Sequence, residues 1–255
     1  MTDAKGGRRG HVLSLHGPAP DPPEPGSAVT VARADTPHGE VSLRRRGAVL
    51  ELVVDGAFAM DTADTSTEVV LASEALGRHP APRRVLVGGL GLGFTTRAVL
   101  DDPRVEHVDV VELAAPLVGW ARQGLVPELA GLEGPRCDLH VLDVADVLAR
   151  RVPRPVGRWD AVLLDVDNGP GFLVHPENTR LYAGPGLAAA RAALRPGGVL
   201  VVWSSHLAPA LLASLQGVAA PGDEVAEDRL TVERDGRSLG YALYSLVRGR
   251  PVLTG

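Results

Sequence analysis

Along the chain the apolar positions change their spacing twice. From Val29 to Met60 the short runs VTVAR, EVSLRRR and AVLELVVDG are separated by turn-forming, glycine-containing segments, which predicts a small antiparallel sheet. Thr65 to Leu76, TSTEVVLASEAL, switches to helical spacing through Val69, Val70 and Leu76, with Ser and Thr at hand as N-caps and Gly77 as a stop. After Pro82 strands and helices alternate. RRVLVGG, HVDVVEL, CDLHVLD and WDAVLLDVD read as strands, with FTTRAVLDD, APLVGWARQGL and VADVLARR as the helices between them. Near-continuous Val and Leu in those strands predicts burial on both faces, the habit of parallel sheets covered by helices. GLAAARAALRPGG then reads as an alanine-rich helix closed by Pro and Gly, VLVVWS as a fifth strand and LAPALLASLQ as a helix. The last segment, DRLTVERDGRSLGYALYSLVRG, is two strand-like runs around an Asp-Gly turn, an antiparallel hairpin. The whole is a doubly wound α/β pattern with a small β appendage before it and no internal repeat.

Composition narrows what such a chain binds. Hydrophobic residues make up 45% of the 255 positions and aromatics only 4%, so the core must be Val, Leu and Ala. A net charge of -5 lacks the basic excess that phosphate neutralisation draws on, and Arg44 to Arg46 and Arg150 to Arg154 read as solvated faces or turns, so no nucleic-acid partner is expected. No apolar run approaches the roughly 20 residues needed to span a bilayer, and the opening MTDAKGGRRGHVLSLHG has too short an apolar stretch for a signal peptide. The expectation is a cytoplasmic chain with no membrane partner. Cys137 stands alone, which leaves no intrachain disulfide and no thiolate zinc site. Residues 1–27, ending in GPAPDPPEPGS, read as a disordered Pro-rich tail.

The chemistry is concentrated where strands end. In GGLGLG, Gly89, Gly91 and Gly93 alternate after the first strand of the α/β region, so the chain can turn sharply and present bare backbone to a ligand. Glu112 ends the next strand nineteen residues after Gly93, the spacing of an acid that accepts hydrogen bonds from a ribose. The glycines are not spaced G-x-G-x-x-G, since position 94 is Phe, and the alternating form suits a nucleoside without a pyrophosphate. Asp143 ends the third strand, where its carboxylate can accept from an adenine amino group, and Asp165 and Asp167 end the fourth. Singly, each acid is as well explained as a helix cap or turn former. Four successive strand ends carrying such groups point to one ligand, because ligands of open α/β sheets sit at the carboxyl ends of strands.

VLVGGLGLGFTTRAVL, DPRVEHVDVVEL, DAVLLDVDNGP and ALRPGGVLVVWS, in that order, resemble the successive motifs of the spermidine synthases, within the class I S-adenosylmethionine-dependent methyltransferase fold. The likeness runs from about Val29 to Gly249. It implies a Rossmann-like sheet of the class I methyltransferase type with a C-terminal antiparallel hairpin, a small N-terminal β-domain at 28–64, and a nucleoside-binding catalytic domain at 65–255. Carried onto these positions, it implies that adenosine contacts Gly89, Gly91 and Gly93, that its ribose sits on Glu112 beside Leu113 and its adenine near Asp143 and Val144, and that Asp165 is the catalytic carboxylate. It further implies a homodimer, S-adenosylmethionine or its decarboxylated form as donor substrate, a small-molecule acceptor, and no metal. Asp167, Asn168 and Tyr182 are expected on the acceptor side, with Trp203 as a further wall. Phe172, Leu173, His175 and Asn178 lie in the loop that follows.

This sequence also departs from the family pattern. Leu92 stands where those enzymes carry an Asp that the resemblance assigns to the donor's amine, Asn168 stands where a substrate-binding acid is expected, and Ala59 replaces a Gln. The Tyr-His pair usual in the helix after the β-domain is missing, leaving Glu68 as its acid before Glu74. Ordinary putrescine aminopropylation is therefore not expected. Three readings stay open: alkylation of a different amine with Asp165 as base, methyl transfer from S-adenosylmethionine to a small molecule, and a nucleoside-binding regulatory protein without turnover.

Overall fold

The computed structural model of the protein describes residues 27–63, 65–234 and 237–250. The first four strands, β1 (Val29–Thr36), β2 (Gly39–Arg46), β3 (Val49–Val54) and β4 (Ala57–Asp61), form a separate antiparallel sheet in sequential order. Asp55 and Gly56 join β3 to β4 with φ values of 49° and 76°, the left-handed pair that matches a two-residue hairpin to the twist of its strands.

The α/β region follows as α1 (Ser66–Gly77), β5 (Arg84–Gly88), α2 (Phe94–Asp101), β6 (His107–Glu112), α3 (Ala115–Arg122), β7 (Cys137–Val141), α4 (Val144–Leu148) and β8 (Trp159–Leu164). It continues through α5 (Thr179–Tyr182), α6 (Gly184–Ala193), β9 (Leu194–Ser204), α7 (Pro209–Val218), β10 (Glu224–Arg234) and β11 (Arg237–Val247). Seven strands make one sheet in the order β10-β11-β9-β8-β5-β6-β7. β7, β6, β5, β8 and β9 run parallel, and β11 and β10 close the sheet as an antiparallel hairpin. Successive strands are added on one side of β5 as β6 and β7, and on the other as β8 and β9. The strand order therefore reverses between β5 and β8, and a crevice opens at their carboxyl ends.

Strand periodicity divides the core. Val85, Val87, Val108, Val110, Ala161, Leu163, Val199 and Val201 pack with residues of α1, α2, α3 and the small sheet. Leu86, Val111, Val162, Leu164, Leu200 and Val202 pack on the opposite face with α4, α6 and α7. Both faces are buried, which is why these strands read as unbroken Val and Leu rather than as an alternating pattern. Among the described residues, no helix is long and apolar enough to cross a membrane.

One boundary differs from the sequence expectation. RPGG at 195–198 does not close α6 but lies inside β9. Trp159 pairs with Leu194 and Ala161 with Val199, so the extra residues bulge out of the ladder. Gly197 takes φ +82°, and a Cβ on Gly198 would stand 2.9 Å from the Arg195 carbonyl oxygen, so the bulge needs both glycines. The Pro-rich stretch at 1–26 and the Asp-Gly turn at 235–236 lie outside the described residues.

Candidate active site

The reversal point of the sheet holds a cleft whose empty space, counted together with its open mouth, is about 1040 Å³. Gly89, Gly91, Glu112, Leu113, Asp143, Val144, Asp165, Asp167 and Asn168 all line it. One bank consists of strand ends. Gly89 leaves β5 with φ +94°, and a Cβ there would lie 2.1 Å from the Asp165 carbonyl oxygen, so only glycine lets the loop cross β8 this closely. The crossing is fixed by Asp165 N–H donating to the Gly88 carbonyl and Gly89 N–H to the Val111 carbonyl, each at 2.9 Å.

Glu112 ties this loop down. Its Oε2 accepts from Leu90 N–H at 2.9 Å and its Oε1 from Ala114 N–H at 2.8 Å. Burial raises its pKa, and the two amides work against that rise. Each carboxylate oxygen retains a second lone pair with which a ribose hydroxyl can bond. Asp143 caps α4 by accepting from Ala145 N–H at 2.7 Å, and its other oxygen pairs with Arg180 of α5. It is thus both helix cap and cleft wall, and the two explanations of this acid are compatible.

Two aspartates at the end of β8 have opposite surroundings. Asp165 accepts one side-chain bond, from Thr95 Oγ1 at 2.7 Å. Burial, then the charge of Glu68, push its pKa up to about 7 against the pull of Thr95. Asp167 is 6% exposed and held from three sides: its Oδ1 accepts from Val174 N–H at 2.6 Å and Asn178 Nδ2 at 3.0 Å, and its Oδ2 from Tyr182 OH at 2.9 Å. Burial raises its pKa, with the Asn178 and Tyr182 bonds opposing. Asp165 is equipped to exchange a proton, whereas Asp167 organises the loop of residues 168–178.

Two of the assigned residues do not line the cleft. Gly93 precedes α2 at φ +88°, and a Cβ there would stand 2.3 Å from the Leu129 side chain, so close packing at the start of the helix accounts for a glycine here. Tyr182 is buried behind the wall and reaches only as far as Asp167; that bond and burial hold its phenol well above the ordinary range. In the loop, His175 and Asn178 line the cleft. Phe172, 64% exposed, packs edge-on against His206 instead.

The other bank comes from the small sheet and α1. Leu52, Val54, Ala59 and Met60 of the small sheet and Glu68 of α1 line the cleft, as does Trp203 of β9. Met60 Sδ accepts from Leu92 N–H at 3.2 Å, and a Cβ on Gly91 would lie 2.6 Å from that sulfur, so the small sheet is seated directly on the glycine loop. Leu92 itself is fully buried and does not line the cleft. The indole Nε1 of Trp203 is buried without a protein acceptor. Sequence reasoning did not anticipate Thr95 or Met60. A hydroxyl in the first turn after a glycine loop was the available sign for Thr95, and nothing local marked Met60.

Residues 66–213 match the family described as spermine/spermidine synthase domain. A spermidine synthase of Coffea arabica is 31% identical over 159 residues, which is 61% of this chain and 47% of that protein. A polyamine aminopropyltransferase of Mycobacterium tuberculosis is 32% identical over 176 residues, 68% of this chain and 32% of that protein. The match thus spans about half or less of these relatives' lengths. A crystal structure of spermidine synthase in complex with the transition-state analogue AdoDATO superposes with a TM-score of 0.70 at 18% identity, covering 87% of this chain and 74% of that one. The spermidine synthase of Thermotoga maritima gives 0.67 at 18% identity, covering 87% and 73%. At that identity the likeness of structures speaks for the fold.

Proposed function

The chain belongs to the spermine/spermidine synthase family, and from that premise we propose that it transfers an aminopropyl group from decarboxylated S-adenosylmethionine to a small-molecule amine, with Asp165 as the base. The observation that carries this reading is the charge of the cleft. Glu68, Glu112, Asp143, Asp165 and Asp167 line it, and among the described lining residues there is no lysine or arginine; Arg180, outside the lining, offsets Asp143 alone. Such a site favours ligands that bring positive charge and no carboxylate, which describes a sulfonium carrying a free amine together with an amine acceptor.

In the proposed reaction the acceptor nitrogen attacks the carbon attached to sulfur, the C–N bond forms as the C–S bond breaks, and methylthioadenosine leaves with both bonding electrons. The proton lost by the acceptor goes to Asp165. An alkylamine with the pKa of lysine, about 10.4, costs on the order of 4 to 5 kcal/mol to hold neutral at pH 7. A carboxylate titrating near 7, in contact with that nitrogen, lowers this cost by taking the proton as the bond forms. Gly89 and Gly91 supply a flat backbone surface, Glu112 the ribose acceptor, and Asp143 with Leu113 and Val144 the adenine edge.

The acceptor we propose is not a simple diamine. The wall of Leu52, Val54, Ala59 and Met60 carries no charged group, which suits an amine with an apolar body. A second reading, methyl transfer from S-adenosylmethionine, draws on Leu92: with that side chain buried, the glycine loop has no acid to repel a donor carboxylate. Calorimetry separates the two. Decarboxylated S-adenosylmethionine and methylthioadenosine binding at least about tenfold tighter than S-adenosylmethionine and S-adenosylhomocysteine supports aminopropyl transfer; the reverse order overturns it. A homodimer and a cytoplasmic location are part of the same proposal, and sedimentation of the purified chain reads the first.

A further inference from the structure

At the far end of β6 from Glu112 the sheet carries a second polar cluster, which the proposed reaction does not use. His107 opens β6 and Asp109 follows two residues on, so both side chains point to one face. Asp138 of β7 is paired in register with Asp109. His107 Nε2 lies 3.3 Å from Asp138 Oδ2 and 3.7 Å from Asp109 Oδ1, and all three atoms fall within 4.8 Å of one another. Ligand atoms placed at about 2.0 to 2.2 Å around a tetrahedral zinc ion stand roughly 3.3 to 3.6 Å apart. The His107–Asp138 separation already matches such an edge, the His107–Asp109 separation slightly exceeds it, and the Asp109–Asp138 pair lies within 4.8 Å. With strands rising about 3.3 Å per residue, Asp109 and His107 lie roughly 10 and 16 Å from Glu112 along β6.

The surroundings are those of a held ligand set. The Asp109 side chain is 4% exposed, and its Oδ2 accepts from Trp159 Nε1 at 2.8 Å and from the Arg84 guanidinium at 3.3 Å. These bonds fix the carboxylate, as outer-shell partners do for metal-binding carboxylates, and leave Oδ1 on the side of the two imidazoles, 3.1 Å from His140 and 3.7 Å from His107. His140 Nε2, 3.1 Å from the same Oδ1, brings a second imidazole to its edge. Asp138 is 59% exposed and His107 28%, which gives a cation a path in from solvent.

We propose that His107, Asp109 and Asp138 form a binding site for a divalent transition cation of the zinc type, one that ties the edge strand β7 to β6. Imidazole with carboxylate oxygens suits zinc, whereas magnesium prefers an all-oxygen octahedron. The site is independent of the donor and acceptor chemistry, so it stands or falls separately from the proposed transfer. The test is calorimetry and thermal denaturation of the full chain at about pH 7.5, above the ordinary histidine pKa of about 6.5, with zinc chloride and separately with magnesium chloride. Zinc is expected to bind one per chain and raise the melting temperature, as any ligand of the folded state does. Magnesium is expected to do neither. His107→Ala should abolish the effect and the exposed Asp138→Asn weaken zinc by about tenfold or more. No zinc binding by the native chain, equal stabilisation by magnesium, or zinc affinity unchanged in Asp138→Asn would each overturn the site.

Discussion

The two banks of the cleft are built on different principles. The sheet bank is made of strand ends whose polar groups are locked by backbone: Gly89 under β8, Glu112 between Leu90 and Ala114, Asp143 on the first turn of α4. The small-sheet bank is apolar, with Met60 resting on the glycine loop through a weak N–H···S contact. On the proposed function, the difference puts nucleoside recognition and acceptor recognition on separate supports. One is fixed by the sheet, and the other is free to change with the sequence of four short strands.

That separation makes predictions of decreasing size. The largest concerns Asp165, which stands between the banks: Asp165→Asn should keep nucleoside affinity while turnover falls by about a hundredfold to ten-thousandfold, the span of general-base catalysis. Undiminished turnover would remove Asp165 from the mechanism. Next, Glu112→Ala should weaken every adenosine ligand by about 1 to 3 kcal/mol in calorimetry, through unpaired ribose hydroxyls and a loosened loop. The acceptor KM should change little; if it moves as far as donor affinity, the banks are not separate. On the other side, Val54→Ala should raise the acceptor KM several-fold with donor affinity intact, since about 0.8 kcal/mol attends each buried methylene lost.

pH gives a further test. Asp165 has a folded pKa of about 7, above the ordinary carboxylate value of 3.8, so the folded state binds its proton more tightly than the unfolded state. Its contribution to stability is present at low pH and lost as pH rises through about 7. Asp165→Asn should flatten that loss, read as a smaller difference between urea midpoints at about pH 6 and about pH 9. The kcat/KM of the native chain should fall on the acid side of about 7, where the base is protonated. The smallest effect belongs to Tyr182→Phe, which removes one of three donors to Asp167 and should cost about 1 kcal/mol of stability with nucleoside binding unchanged.

Much of the sheet bank was legible in the sequence because its determinants are local. A Val-rich run, a glycine cluster and an acid at the end of the next strand follow from chain order alone, and the parallel sheet converts chain order into proximity. What was not legible depends on register and tertiary approach. RPGG carries helix-stop residues, yet the pairing of Trp159 with Leu194 makes it a bulge in β9. Gly93 looked like its two neighbours, but the packing of Leu129 against it gives it another task. Tyr182 reads as a core aromatic or a pocket wall, and the structure buries it with its hydroxyl on Asp167. His107, Asp109 and Asp138 meet only because β6 and β7 pair with Asp109 opposite Asp138, a register no local pattern announces.

The most direct measurement is to identify the nucleoside released when the chain is incubated with an amine and each donor in turn, by mass spectrometry, alongside Asp165→Asn. Aminopropyl transfer in an acidic cleft predicts methylthioadenosine from the decarboxylated donor with the native chain, and none above background with the variant. S-adenosylhomocysteine from S-adenosylmethionine, or equal methylthioadenosine release by Asp165→Asn, would contradict it.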